Sequence, residues 1–376
     1  MFRNRYRIRD YDFKLILMIL ALSGIGVLAI GSAEESLQTK QLAGVAAGFV
    51  LMILLSLFNY SLLLKLYWLM YIGNLGLLVL VQFAGDSSNN SQRWLEIGGL
   101  RFQPSETAKI LLILFFAQFI MKHREKLNSF RTILLCIVLI GIPWALIFNQ
   151  PDLSTSVVLL VVFCIIMYAG GISWKIIGGA LAVVVPAVII VIALALQPST
   201  GEDGSGFLKE YHKTRIRAFI NPQEYAMEEA YQQLNSIMAI GSGQLDGKGY
   251  KNNEITSVKN GNFISEAQTD FIFAVIGEEF GFKGSISVII LIIAIAIECI
   301  AISLRAKDVA GQIIAAGMGG LIAFQGFFNI GVATFILPNT GLPLPFVSYG
   351  LTSLMSLYIG MGFVLNVRLQ AKRAMN

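Results

Sequence analysis

The chain is built from long, continuous apolar runs, each close to the ~20 residues that an α-helix needs to cross the hydrocarbon core of a bilayer. They fall near 15–33, 40–58, 62–83, 104–121, 132–149, 152–170, 174–196, 284–304, 310–335 and 346–366. One span per run makes about ten. The runs are uniformly apolar rather than alternating, which favours helices over a barrel, because each helix satisfies its own backbone hydrogen bonds. Of 376 residues, 56% are apolar and 14% charged, against about 25% charged in a soluble domain. The expected fold is therefore an all-α polytopic membrane helix bundle, one integral membrane domain over 1–376. A large extracytoplasmic loop at 197–269 lies between its seventh and eighth helices.

A net charge of +5 raises nucleic acid as a partner, but the distribution of charge points to membrane lipid instead. Arg3, Arg5, Arg7 and Arg9 precede the first run; Lys122, Arg124 and Lys126 follow the fourth. Arg305 and Lys307 follow the eighth, and Arg368, Lys372 and Arg373 end the chain. With ten spans these segments share one side, so the positive-inside rule places both termini in the cytoplasm, where basic residues also meet anionic headgroups. The first run ends Gly31-Ser32-Ala33, like a signal-peptide cleavage site. It exceeds the usual ~7–15-residue apolar core of a signal peptide, so an uncleaved anchor is expected. Cys136, Cys164 and Cys299 sit apart within apolar runs and read as small buried hydrophobes. His123 and His212 have no ligand cluster around them, so no protein-held metal is expected.

Two external loops are long. The first, near 85–103, is polar and then reads Gln92-Arg93-Trp94-Leu95-Glu96-Ile97-Gly98-Gly99. In the second, Met227 to Ile240 spaces Tyr231, Leu234, Ile237, Met238 and Ile240 at near-helical intervals. That pattern fits an interfacial helix on the outer leaflet or a helix packed on neighbouring loops. Asp270 to Phe280 is too short to span, and 284–304 already spans without it. It is expected to be a short helix at the outer boundary, or a re-entrant one lining a cavity, with Thr269 and Asp270 at its N-cap.

Ionisable residues at membrane depth are functional candidates by default. Glu106 and Lys109, three apart on one helix face, form an internal ion pair or hold an anionic substrate at the edge of a cavity. Asp152 starts the sixth span, as a cap or as part of a site. Glu278 and Glu279 are a solvated face or the wall of an outer site, and Glu298 lies deep in the eighth span. Asp270 is external and stands beside an apolar run whose low dielectric favours a neutral carboxyl, the setting of a general base. A plain helix cap is the alternative.

Taken together, these stretches resemble the RodA/FtsW/SpoVE family, the SEDS proteins that polymerise peptidoglycan glycan strands from lipid II. The resemblance runs over nearly the whole chain. Its pieces are Arg93-Trp94, Phe102-Gln103-Pro104-Ser105-Glu106-Thr107-Ala108-Lys109 and Gln150-Pro151-Asp152-Leu153-Ser154-Thr155-Ser156. They continue with Ala239-Ile240-Gly241-Ser242-Gly243, Gly247-Lys248-Gly249, Thr269-Asp270-Phe271-Ile272-Phe273-Ala274 and Gly277-Glu278-Glu279-Phe280-Gly281. Asn329-Ile330-Gly331 and Leu337-Pro338-Asn339-Thr340-Gly341-Leu342-Pro343-Leu344-Pro345-Phe346-Val347-Ser348-Tyr349-Gly350 complete the set. Gln244 stands where a second glycine is usual, Ser265-Glu266-Ala267-Gln268 replaces a run resembling Pro-Glu-Ala-His, and Leu351 replaces a glycine.

The resemblance implies an inverting glycosyltransferase of the bacterial cytoplasmic membrane, active at its outer face in cell-wall synthesis for cell shape or division. The RodA-like elongation branch is preferred. Asp270 is the implied catalytic residue. Arg93, Trp94, Arg101, Glu106, Lys109, Asp152, Lys213, Arg215, Glu279 and Ser348 are the candidate substrate-binding residues. The implied partners are lipid II and a class B penicillin-binding protein. No cofactor is firmly implied; a divalent cation, Mg or Mn, carried with the substrate pyrophosphate is the open alternative. Two rival readings are a flippase for the same lipid-linked precursor, suggested by Glu106, Lys109 and Glu298, and a non-catalytic scaffold for a penicillin-binding protein.

Overall fold

In a computed structural model of the chain, residues 11–88, 91–97, 100–150, 152–180, 210–228, 230–251, 263–265 and 267–374 are described, with positions 182, 186 and 193 besides. The apolar runs are helices: α1 (Phe13–Ala33), α2 (Glu35–Leu57), the short α3 (Tyr60–Leu63) leading into α4 (Tyr67–Ala84), α5 (Pro104–Lys122) and α6 (Phe130–Asn149). After them come α7 (Leu153–Ala169), α8 (Glu210–Ile220), α9 (Tyr231–Ser242), α10 (Ile272–Leu304), α11 (Val309–Ala333) and α12 (Leu351–Ala374). Local chemistry sets where they start. Asp12, Ser129, Asp152 and Asp308 each accept a hydrogen bond from a backbone N–H of the first turn, and Pro104 occupies the first turn of α5, where no N–H is needed.

Among the described residues, eight helices are long and apolar enough to span a bilayer, and α7, with 17 residues, is a ninth apolar helix. The expected seventh span, 174–196, is helical over 174–180 and otherwise falls almost wholly outside the described residues. The bundle is helical as expected, and the first long loop adds a small sheet to it: β1 (Asp86–Ser88), β2 (Ser91–Ile97) and β3 (Leu100–Phe102) form an antiparallel meander over the ends of α4 and α5.

At the centre of the bundle α11 packs against α5, α7, α10 and α12. Lipid tails are as apolar as leucine, so such helices gain by close van der Waals contact between backbones. Gly48 of α2 lies so near the Tyr358 ring of α12 that a Cβ there would meet it at 2.4 Å. Aromatic side chains fill the space between α4 and α5, where Tyr71 and Phe115 stack with centroids 4.5 Å apart. Cys136 and Cys299 are buried as expected, but Cys164 points outward from α7. Glu298 meets Asp12 of α1, with Lys14 and Arg368 nearby; Arg368 Nε lies 3.6 Å from Asp12 Oδ2.

α9 shows which face a loop helix presents. Gln233, Ser236 and Ala239 are buried against α10 and α11, while Met238 is 63% exposed. Gln233 Nε2 donates to Val332 O and Leu337 O, both at 2.9 Å, and Ser236 Oγ to Ala333 O at 2.7 Å. The bonds to Val332 O and Ala333 O occupy carbonyls at the end of α11, where a helix has none of its own donors left, and the bond to Leu337 O holds the loop that follows. The polar side of α9 is thus its docking side, and it packs on the bundle.

Candidate active site

The segment expected to stand apart does so through one glycine. Gly281 has φ 62° and ψ −156°, a region that only glycine occupies without large strain. α10 therefore divides into a short helix, 272–280, and a spanning one after Gly281. Phe271 to Glu279 are all buried, so the short helix is inside the protein rather than lying at an open boundary. Its N-cap position is Phe271, with no side-chain cap bond, one residue beyond the expected Thr269–Asp270 cap. Asp270 stands in the turn just before and is half-buried.

The loop between α11 and α12 holds that turn. Asn329 Nδ2, on α11, donates to Asp270 O and to Leu342 O, both at 2.7 Å. Ser348 Oγ donates to Thr269 O at 2.6 Å and accepts from Leu344 N at 2.7 Å; Tyr349 N donates to Gln268 O at 2.9 Å. Gly341 has φ +72°, and a Cβ there would lie 3.0 Å from Asp270 Oδ2. The backbone of Asp270 is thereby fixed on both sides while its carboxylate meets a residue with no side chain.

Three further groups converge on the same loop. Arg215 Nη1, on α8, donates to Asn339 O at 3.1 Å. Ser154 of α7 donates to Thr340 O. It lies two residues after Asp152, whose carboxylate caps Thr155 N at 3.1 Å and accepts from Ser105 Oγ at 3.3 Å and Gln103 Nε2 at 3.4 Å. Arg93 Nε donates to Gln150 O at 3.0 Å, which ties the meander to the end of α6, just ahead of α7. From α5, Lys109 Nζ contacts Glu106 Oε1 at 2.7 Å and Gln325 Oε1 at 3.1 Å, and Gln325 Nε2 reaches Pro343 O at 3.0 Å. Lys109 is 1% exposed. Its ammonium therefore faces the bundle interior, and of the two readings of Glu106 and Lys109 the pair takes the internal ion pair.

Of the residues singled out in the sequence, Asp270 meets loop 337–350 at Gly341, Ser348 is part of that loop and Arg215 bonds it; Lys109 reaches it through Gln325, and Glu106 only through Lys109 and Gln325. Asp152 stands two residues before Ser154, which bonds the loop, and Arg93 holds Gln150 O nearby. Trp94 is half-buried on β2, and Arg101 is exposed on β3 with its carbonyl accepting from Thr352 Oγ1 at 3.1 Å. Lys213 lies on α8 two residues from Arg215. Glu279 belongs elsewhere: it sits at the far end of the short helix, roughly 14 Å from Asp270 at 1.5 Å per residue, and accepts from Ser32 Oγ of α1. Asn329 and Gln325 were not among the candidates. An Asn or Gln within an apolar helix is the signal that marks them, because an amide there must find partners. Among the described residues no group of three or more His, Cys, Asp or Glu could hold a metal ion.

Comparison with known proteins fits this arrangement. Residues 12–373 match the FtsW/RodA/SpoVE cell cycle protein family. The peptidoglycan glycosyltransferase MrdB of Escherichia coli K12 is 33% identical over 365 residues, 96% of this chain and 94% of that protein. A probable peptidoglycan glycosyltransferase FtsW of Bacillus subtilis 168 is 30% identical over 396 residues, 98% and 93% of the two chains. A chain from a peptidoglycan synthase complex that coordinates polymerization and crosslinking superposes with a TM-score of 0.77 at 26% identity, over 96% of this chain and 98% of that one. The crystal structure of the Rod shape determining protein RodA of Thermus thermophilus gives 0.69 at 26% identity, over 95% and 96%. A match over almost the whole length, to the family and to its solved structures alike, leaves one conclusion: the chain belongs to the FtsW/RodA/SpoVE family.

Proposed function

We propose that this integral membrane protein is a peptidoglycan glycosyltransferase that polymerises lipid II, with Asp270 as its general base. The observation that carries the base assignment is the mounting of Asp270. Its backbone is held by Asn329 and lies beside the Thr269 carbonyl bound by Ser348, while its carboxylate faces side-chain-free Gly341. A base of this kind takes the proton of an acceptor sugar hydroxyl as that oxygen attacks the anomeric carbon of the donor. The bond from that carbon to the pyrophosphate oxygen breaks on the opposite face, so the centre inverts. The bonding electrons leave with the polyprenyl pyrophosphate, and the proton ends on Asp270.

Negative charge that develops on the leaving group calls for fixed positive charge nearby. Arg215, bonded to the loop that faces Asp270, is the first candidate, and Lys213, Arg93 and Arg101 lie on the same side of the bundle. Lys109 acts on the loop from behind, through Gln325 and Pro343. A divalent cation, Mg or Mn, would arrive with the pyrophosphate, whose oxygens suit a hard cation. The Asp270 end faces outward, with both termini in the cytoplasm, because Lys122, Arg124 and Lys126 after α5 and Arg305 and Lys307 after α10 lie at the opposite ends of their helices. A class B penicillin-binding protein is the partner we propose, since the similar chain above belongs to a complex that also crosslinks.

The test is polymerisation of labelled lipid II by the purified chain in detergent, where a flippase has no membrane to cross and a scaffold makes no polymer. Asp270→Asn should make none while keeping the fold of the parent. Polymer from that variant would refute the base assignment, and EDTA followed by Mg or Mn in the same assay reads the cation requirement.

A further inference from the structure

The break at Gly281 has an unusual repair. In an unbroken helix Phe282 N–H would bond to Glu278 O and Lys283 N–H to Glu279 O. Here all four groups turn to one loop. Lys248 N donates to Glu278 O at 2.9 Å and Gly249 N to Glu279 O at 3.0 Å. In return Phe282 N donates to Gln244 O at 2.8 Å and Lys283 N to Leu245 O at 3.3 Å. Residues 244–249 thus take the place of the missing helical turn. Buried backbone groups are costly to leave unpaired, so the break and the loop are mutually dependent.

The fit tolerates no side chain at its closest point. A Cβ on Gly247 would lie 2.1 Å from Glu279 O, and one on Gly243 would lie 1.9 Å from Gly277 O. Side chains fasten the same contact. Lys248 Nζ pairs with Glu278 Oε1 at 2.8 Å, the lysine side chain 19% and the glutamate side chain 5% exposed. One residue on, Glu279 accepts from Ser32 of α1. Lys251, just beyond, pairs with Glu35 at the start of α2 at 2.8 Å, and that carboxylate holds the lysine's pKa above its usual value.

We infer that loop 243–249, through the Lys248–Glu278 pair and the exchanged backbone bonds, is a positioning device for the catalytic aspartate. It fixes the far end of the short helix 272–280 whose other end carries Asp270. This inference rests on the reading of Asp270 as the base. The helix is rigid over its few turns, so a tilt at the Glu278 end is delivered to Asp270, and a misplacement of about 1 Å at a reacting group costs on the order of 10²-fold in rate. Lys248 and Glu278 touch no substrate in this scheme; they act through the helix.

The experiment compares the full-length chain with Lys248→Met, the reversed pair Lys248→Glu with Glu278→Lys, and Asp270→Asn, all in the same detergent. Polymerisation of labelled lipid II gives kcat and KM, and amide hydrogen exchange reports on residues 272–280. Lys248→Met is expected to lower kcat about tenfold, a part of the cost of full misplacement, with KM little changed and faster exchange across 272–280. The reversed pair should recover most of both. Unchanged kcat despite faster exchange would overturn the inference. So would a raised KM with unchanged exchange, which would make Lys248 a lipid II contact. An active parent with an inactive Asp270→Asn and a fully active Lys248→Met sinks only the positioning role. Polymer from Asp270→Asn, or none from the parent, sinks the base assignment and the positioning role with it.

Discussion

Replacing Gly341 by alanine separates two effects that one glycine combines. The first is conformational: at φ +72° an alanine carries the left-handed penalty of about 1–2 kcal/mol. The second is contact. The new Cβ would sit 3.0 Å from Asp270 Oδ2, short of the 3.4 Å at which ordinary contact begins, so the carboxylate must withdraw by about 0.4 Å. If a displacement of ~1 Å costs about 10²-fold, a shift of that size costs roughly five- to tenfold in kcat. Gly171, at the end of α7, supplies the control, because its φ is +96° and nothing lies within 4 Å of a Cβ built there. Both alanine variants should lose about 2–5 °C in apparent Tm, read by intrinsic tryptophan fluorescence in detergent. Only Gly341→Ala should lose turnover of lipid II. Equal activity in the two variants would refute the placement of the Asp270 carboxylate against Gly341 as a determinant of catalysis.

Lys109→Met leaves the buried Glu106 carboxylate without its cation, which costs about 3–5 kcal/mol and should appear as a low yield of folded protein. Adding Glu106→Gln should restore folding but not turnover, because Gln325 has lost the donor that steadies its hold on Pro343; full turnover in the double variant would confine the pair to stability. The orientation is checked by cysteine at Asp246 or Lys126 in a Cys164→Ser background. A membrane-impermeant maleimide should label the first in intact spheroplasts and the second only after lysis, and the reverse pattern would invert the topology.

Much of this was legible in the sequence because the bilayer imposes a length and a polarity on every span. The starts of α5, α7 and α11 fall where the apolar runs begin, and Asp152 caps as its position before Leu153-Ser154-Thr155 suggests. The short helix before Gly281 was legible as well, from length arithmetic alone. The β meander was not. Its strands are brief, of 3, 7 and 3 residues, and they form by pairing with one another, which no long apolar period announces. The N-cap position falls at Phe271 and not at Thr269 or Asp270 for a related reason: tertiary bonds from Asn329 and Ser348, distant in sequence, hold the backbone of those two residues in a turn.

The departures from the family pattern are also explained only by tertiary contacts. Gln244 adopts φ +49° because its carbonyl must reach Phe282 N, a conformation glycine would take more cheaply. Leu351 packs against Gly44 of α2, where a Cβ would meet its side chain at 2.6 Å. Gln268 contributes its backbone, not its side chain, to the bond with Tyr349.

By itself the sequence determined that the chain lives in a membrane, roughly where it crosses, and that Asp270 stands at the mouth of a short helix. Those properties follow from composition, run length and local motif, which are read along the chain. Only the tertiary structure decided that Lys109 faces inward, that Glu279 belongs with Ser32, and that loop 243–249 completes the broken helix. Each of these depends on which distant segments share a hydrogen bond, and in an interior without water to satisfy polar groups that pairing is set by the packing of the whole bundle.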